Sequence, residues 1–126
     1  MPEISGYHAH VYYTQDTKPR AEHLRTALAA NFALKPGGLS DAPRGPHPIS
    51  QFNTVFRTED FPTVVPWLML NRQDLDVLIH PLTNDMFDDH TIYAAWLGTP
   101  VPLKVETLQR RGYGTDLLPN PNPPPL

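Results

Sequence analysis

Six histidines in a chain of 126 residues are the side chains best suited to chemistry here. Imidazole titrates near neutral pH, so it can move protons, and its neutral form binds Fe, Zn, Cu and Ni. Two of the six stand one residue apart in Tyr7-His8-Ala9-His10-Val11-Tyr12. His47 lies in Gly45-Pro46-His47-Pro48, His80 in Leu78-Ile79-His80-Pro81, and His90 follows Asp88 and Asp89. With no cysteine, the chain has neither a thiolate metal site nor a disulfide framework. A metal centre would have to rest on imidazole, with or without carboxylate.

These residues need a scaffold. Residues 7–13 are rich in aromatic and β-branched types and read as a strand. A helix follows, capped at Asp16 or Thr17, with Pro19 in its first turn and Ala21, Leu24, Leu28 and Phe32 at helical spacing. Lys35-Pro36-Gly37-Gly38 ends it, and a short strand is expected near 33–39. A longer strand over 48–57 and a second helix over 60–71 come next. Pro66 predicts that the regular part of that helix starts late, near Thr63. Residues 75–80 and 91–97 are two further strands.

The order β-α-(β)-β-α-β-β predicts an α+β fold. Without the last strand, it is the ferredoxin-like split βαβ sandwich, an antiparallel sheet with two helices on one face. Right-handed crossovers place the first strand between the 48–57 and 75–80 strands. The reading has the first strand parallel to 48–57 and antiparallel to 75–80. It leaves the second sheet face open, or covered by a partner or the tail.

Alternation along strands then sorts the side chains. His8, His10 and Tyr12 share a face, while Ala9 and Val11 point to the helices. Phe52 and Phe56 point to the helices, which puts His47, Gln51 and Asn53 opposite. Leu75, Val77 and Ile79 go under the helices, so Asp76, Leu78 and His80 face out. Four histidines therefore meet at one end of one face, and strands about 4.8 Å apart let imidazoles from three of them share one ion. His90, opening the last strand, overhangs them. Asp76 lies about a dozen Å along its strand from His80, but Asp85, Asp88 and Asp89 are freer to reach in. Three histidines with no carboxylate are an equally open arrangement. His23 falls off the Leu24–Leu28 stripe and reads as a surface residue.

Composition narrows the function classes. Apolar residues at 40% and charged residues at 18% suit one folded domain. A net charge of −3 without a basic run argues against nucleic acid and anionic membranes. No apolar stretch approaches the roughly 20 residues of a spanning helix, and the start lacks the features of a signal peptide. A cytoplasmic protein fits. The 16 prolines concentrate partly in an extended tail, so residues 1–106 are taken as the domain and 107–126 as the Pro-rich tail.

The motifs around His8-Ala9-His10, Gly45-Pro46-His47-Pro48, Trp67-Leu68-Met69-Leu70-Asn71-Arg72, Leu78-Ile79-His80-Pro81, Asp89-His90-Thr91 and Trp96-Leu97-Gly98 occur in an order that resembles the DOPA 4,5-dioxygenase family. The resemblance runs from about residue 6 to about residue 103. It implies extradiol cleavage of DOPA or a related catechol by O₂ and non-haem Fe(II), or another divalent metal. The implied division puts His8, His10 and His80 on the metal, with His47 and His90 as acid/base and orienting groups. Arg72 is a candidate contact for a substrate carboxylate. An exposed sheet face would suit a homodimer. The competing reading is a ferredoxin-like module that binds a metal or ligand without catalysis.

Overall fold

The computed structural model describes residues 2–113, with strand β1 (Tyr7–Tyr12) at the centre of its sheet. Helix α1 (Lys18–Asn31) and strand β2 (Gln51–Phe56) follow, then helix α2 (Phe61–Asn71) and strand β3 (Asp76–Pro81). A single turn of helix, α3 (Met86–Asp89), and strand β4 (Ala95–Leu97) complete the order. The sheet runs β2-β1-β3-β4, and every neighbouring pair is antiparallel. This is the expected ferredoxin-like fold. No helix is long and apolar enough to cross a membrane among the described residues.

One strand direction differs from expectation. β1 pairs with β2 antiparallel, Tyr7 opposite Phe56 and Tyr12 opposite Gln51. The reason is the extra segment between α1 and β2. Gly37 N and Ser40 N donate to Asn53 O and Gln51 O, so this stretch lines the outer edge of β2 as the short strand expected near 33–39, reduced to a bridge. The chain then reverses through 41–50 before β2 begins. Each of the two split βαβ units therefore spans a neighbour of opposite direction, β1 inside one and β2 inside the other.

Both helices pack on one sheet face. Ala21, Leu24 and Leu28 of α1 and Val64, Val65 and Leu68 of α2 close over Ala9, Val11, Phe52, Phe56, Val77 and Ile79. Phe52 and Phe56 are fully buried, and truncating such a ring to Ala typically costs about 3–5 kcal/mol. α2 begins at Phe61 rather than late, and Pro66 sits inside it. Both Pro66 and Pro62, whose carbonyl loses its intrahelical donor, face solvent, so water can take the orphaned bond. α1 stops at Asn31, because Phe32 turns extended to set its ring edge-on to Trp67 at 5.4 Å.

The second face is not open. Leu78 and His80 on it have no exposed surface. Three stretches of chain form a roof over it: 41–50, 81–94 and 104–113. They are tied together by Lys104 N to Pro46 O (2.8 Å), Met86 N to Arg111 O (2.9 Å) and the Arg110 ion pairs with Asp85 and Asp88. Packing thus continues past residue 106, and Gly112 sits against Thr83 and Asn84. The rest of the Pro-rich tail, from 114, lies outside the described residues. The face on which a homodimer was expected is covered by the chain itself.

Candidate metal centre

His8 and His10 stand on β1, and His80 on β3 lies directly opposite His8. Alternation sends all three to the roofed face, as the strand pattern requires. Their rings are close: 4.3 Å between the His8 and His10 centroids, 5.1 Å for His8 and His80, and 5.2 Å for His10 and His80.

His47 arrives by another route. Because β2 is antiparallel to β1, the start of β2 lies at the Tyr12 end of the sheet, away from His8. The turn at Gly45, with φ of +55°, and the paired bonds between Arg44 and His47 fold the loop back over the sheet. This brings the His47 ring to 4.0 Å from that of His10. The cluster therefore lies over the middle of the sheet as well as its end. His90 does not open a strand but caps α3. Thr91 N and Tyr93 N both donate to Asp88 O, which spends on the helix end the donors a longer β4 would need. From there the His90 ring lies 4.0 Å from that of His80.

Two triads of nitrogen ligands each lie within 4.8 Å of one another: His8, His10 and His80, and His10, His47 and His90. No carboxylate joins either triad among the described residues. Asp89 is buried, but its oxygens accept from Thr83 N at 2.9 Å and from the Thr83 hydroxyl. Asp85 accepts from Asp88 N, and with Asp88 it pairs with Arg110. Asp76 accepts from Thr99 N at the far end of β3. Arg72 donates to Leu75 O within its own turn, next to Gly98, and is not among the groups of the cluster. His23 is exposed on α1.

Burial sets the protonation of the rings. It lowers His8 to about 4 and His47 to about 3, and pushes His10 and His80 well below the usual imidazole range. It also lowers His90. Neighbouring imidazoles add to the effect at His8, His10, His47 and His80. The rings are therefore neutral near pH 7, the form that binds metal.

The hydrogen bonds say which nitrogen carries the proton. His80 Nδ1 donates to Pro81 O (2.9 Å) and His90 Nδ1 to Met86 O (2.7 Å). A carbonyl can only accept, so both rings keep a bare Nε2. His10 Nδ1 donates to Gln51 Oε1 (3.0 Å), which also leaves Nε2 bare, and His8 Nε2 donates to Asn53 Oδ1 (3.2 Å). The bare Nε2 atoms of His10 and His80 face each other at 3.2 Å. Two lone pairs at that distance repel unless a cation lies between them. Nitrogens each about 2.1 Å from a shared ion lie roughly 3–3.5 Å apart. The donor set fits a metal ion, and the partners of the outer nitrogens are those that orient ligating histidines elsewhere.

Sequence reasoning placed Gln51, Asn53 and Tyr12 on this face without giving them a role. The available signal was the presence of polar side chains opposite the histidines on a strand buried on both faces. Thr83 and Tyr113, whose ring stacks 6.2 Å from that of His80, carried no such signal, while Asp89, expected to be free to reach in, is held by Thr83.

The Dopa 4,5-dioxygenase family profile matches residues 7–107. Over 117 residues the chain is 34% identical to a DOPA 4,5-dioxygenase of Amanita muscaria, covering 84% of this chain and 50% of that protein. It is 33% identical to an uncharacterised 21.2 kDa protein of Botryotinia fuckeliana, covering 83% of this chain and 64% of that one. The chain thus spans between half and two thirds of the length of these curated relatives. A crystal structure from Nostoc punctiforme, provisionally described as a dioxygenase, is 43% identical and superposes with a TM-score of 0.81, covering 82% of this chain and 90% of that one. By the span of the profile match and the identity to these relatives, the chain belongs to the Dopa 4,5-dioxygenase family.

Proposed function

We propose that this protein is an extradiol dioxygenase that opens the ring of DOPA or a related catechol with O₂, using non-haem Fe(II) held by His8, His10 and His80. One observation carries the reading: three neutral imidazoles in the roofed centre of a chain of this family, two of them with bare nitrogens 3.2 Å apart. Bound iron would supply the Lewis acidity and the O₂ activation that ring opening needs. Across the reaction the ring C–C bond beside the two hydroxyls breaks, and both oxygens of O₂ enter the product, one as aldehyde and one as carboxylate.

The other two histidines suit the proton steps. His90, with a bare Nε2 fixed by Met86 O, can take a proton from a catechol hydroxyl. His47 is the partner that returns one. The roof buries His10, His47, His80 and His90, and so would limit the screening of these interactions by water. A cytoplasmic setting fits the composition and net charge of the chain.

The test is anaerobic loading with Fe(II), followed by O₂ uptake and product absorbance across a catechol panel that includes DOPA. Uptake of one O₂ per catechol, with a yellow semialdehyde product, supports the reading. Iron bound in stoichiometric amount with no uptake on any catechol overturns it in favour of a metal-binding module without catalysis.

A further inference from the structure

Tyr12 lies on β1 two residues beyond His10 and faces the same way. It is 2% exposed, and its ring stacks on Trp96 of β4 at 5.8 Å. Its hydroxyl lies 2.6 Å from His47 Nδ1, its one hydrogen-bond partner among the described residues. A buried phenol whose hydrogen finds no acceptor is left with an uncompensated loss of its bond to water. Were His47 Nδ1 the donor, Tyr12 would be left in that state. A phenol keeps its proton near pH 7, so it has one to donate.

We infer that Tyr12 is a positioning residue, which donates to His47 Nδ1 and thereby fixes the His47 proton on Nε2. His8 also carries its proton on Nε2, donated to Asn53 Oδ1, but keeps a bare Nδ1, so His47 is the one ring of the five left without a bare nitrogen. His10, His80 and His90 have their Nδ1 protons held by carbonyl oxygens and offer lone pairs from Nε2. His47 is held the other way round, and offers an N–H from a ring 4.0 Å from that of His10. A ring locked in that tautomer cannot ligate through Nε2. It can donate a hydrogen bond or a proton to an oxygen of the substrate. The role toward substrate rests on the ring-cleavage reading; the tautomer does not.

The two are separable in the full-length chain with ¹⁵N-labelled histidine, metal-free and with Zn(II) added as a diamagnetic probe. Long-range ¹H–¹⁵N spectra should show His47 protonated at Nε2 and His80 and His90 protonated at Nδ1. Tyr12→Phe, which keeps the ring and its packing on Trp96, should release His47 from the Nε2–H form and leave His80, His90 and Zn(II) bound per chain unchanged. A wild-type His47 protonated at Nδ1, or a His47 tautomer unmoved in Tyr12→Phe, overturns the inference. With Fe(II), Tyr12→Phe should lower kcat about 10- to 100-fold, with KM within twofold of wild type. An unchanged kcat overturns the role toward substrate. If the wild type opens no catechol, the ring-cleavage reading fails and the spectra alone decide the place of Tyr12.

Discussion

His80 is the residue on which the centre turns, since it stands opposite His8, touches His10 through a bare nitrogen and packs on His90. His80→Ala is expected to lower iron or zinc retained after dialysis at least tenfold, whereas His23→Ala, on the exposed face of α1, should retain the wild-type amount. Equal metal content in the two variants would show that the ion sits elsewhere. The shared face of His8, His10 and His80 was legible from alternation alone, because period-two geometry fixes the face of a strand residue whatever the rest of the fold does, whereas His47 and His90 reach the centre from a loop and a helix end. The proton on each ring was not legible. It depends on single acceptors such as Pro81 O and Met86 O, which are set by loop conformation rather than by strand pattern.

At the scale of the elements, the split βαβ order and the central place of β1 followed from the order of strands and helices. The direction of β2 did not, because it hinged on Gly37–Ser40 counting as a strand when two hydrogen-bonded positions are all that remain of it. The length of β4 was overread for a related reason: Thr91 and Ile92 suit a strand by type, but the end of α3 claims the local backbone donors. Two substitutions test how tightly these elements are set. Thr54 on β2 buries a hydroxyl with no hydrogen-bond partner among the described residues, so Thr54→Val should raise stability by about 1 kcal/mol in urea unfolding. Gly98 ends β4 at φ +86°, and a Cβ there would lie 2.5 Å from Asp76 Oδ1 and 2.8 Å from Arg72 Nη1. Gly98→Ala should therefore cost roughly 1–3 kcal/mol in the same assay, and a neutral effect would mean that the turn yields freely.

For the molecule as a whole, five imidazoles kept neutral under a roof make folding sensitive to acid. The folded-state values of His8 (about 4) and His47 (about 3) lie below the 6.5 of an ordinary imidazole. Between those limits the unfolded chain binds protons that the folded chain refuses. Stability is therefore whole above pH 6.5 and falls as pH drops toward 4 and then 3, by about 1.4 kcal/mol per unit for each such group. The melting temperature of the metal-free protein should fall steadily from pH 7 to pH 5, and a flat or rising profile would contradict the burial of these rings. The roof itself was the part of the architecture least visible in the sequence. Stretches rich in proline, glycine and aspartate look like solvent-facing connections, and only their mutual hydrogen bonds over the sheet reveal them as a layer.

That layer is stitched from three separated parts of the chain, and this governs traffic as well as shelter. The hydrogen bonds from Lys104 to Pro46 and from Met86 to Arg111 are seams of this layer, whereas His8 keeps part of its surface exposed. Where a seam has to open first, entry and escape would follow its breathing rather than collision with solvent. A filled molecule would hold its cargo through many encounters with a chelator, and the seam that opens most often would be the doorway.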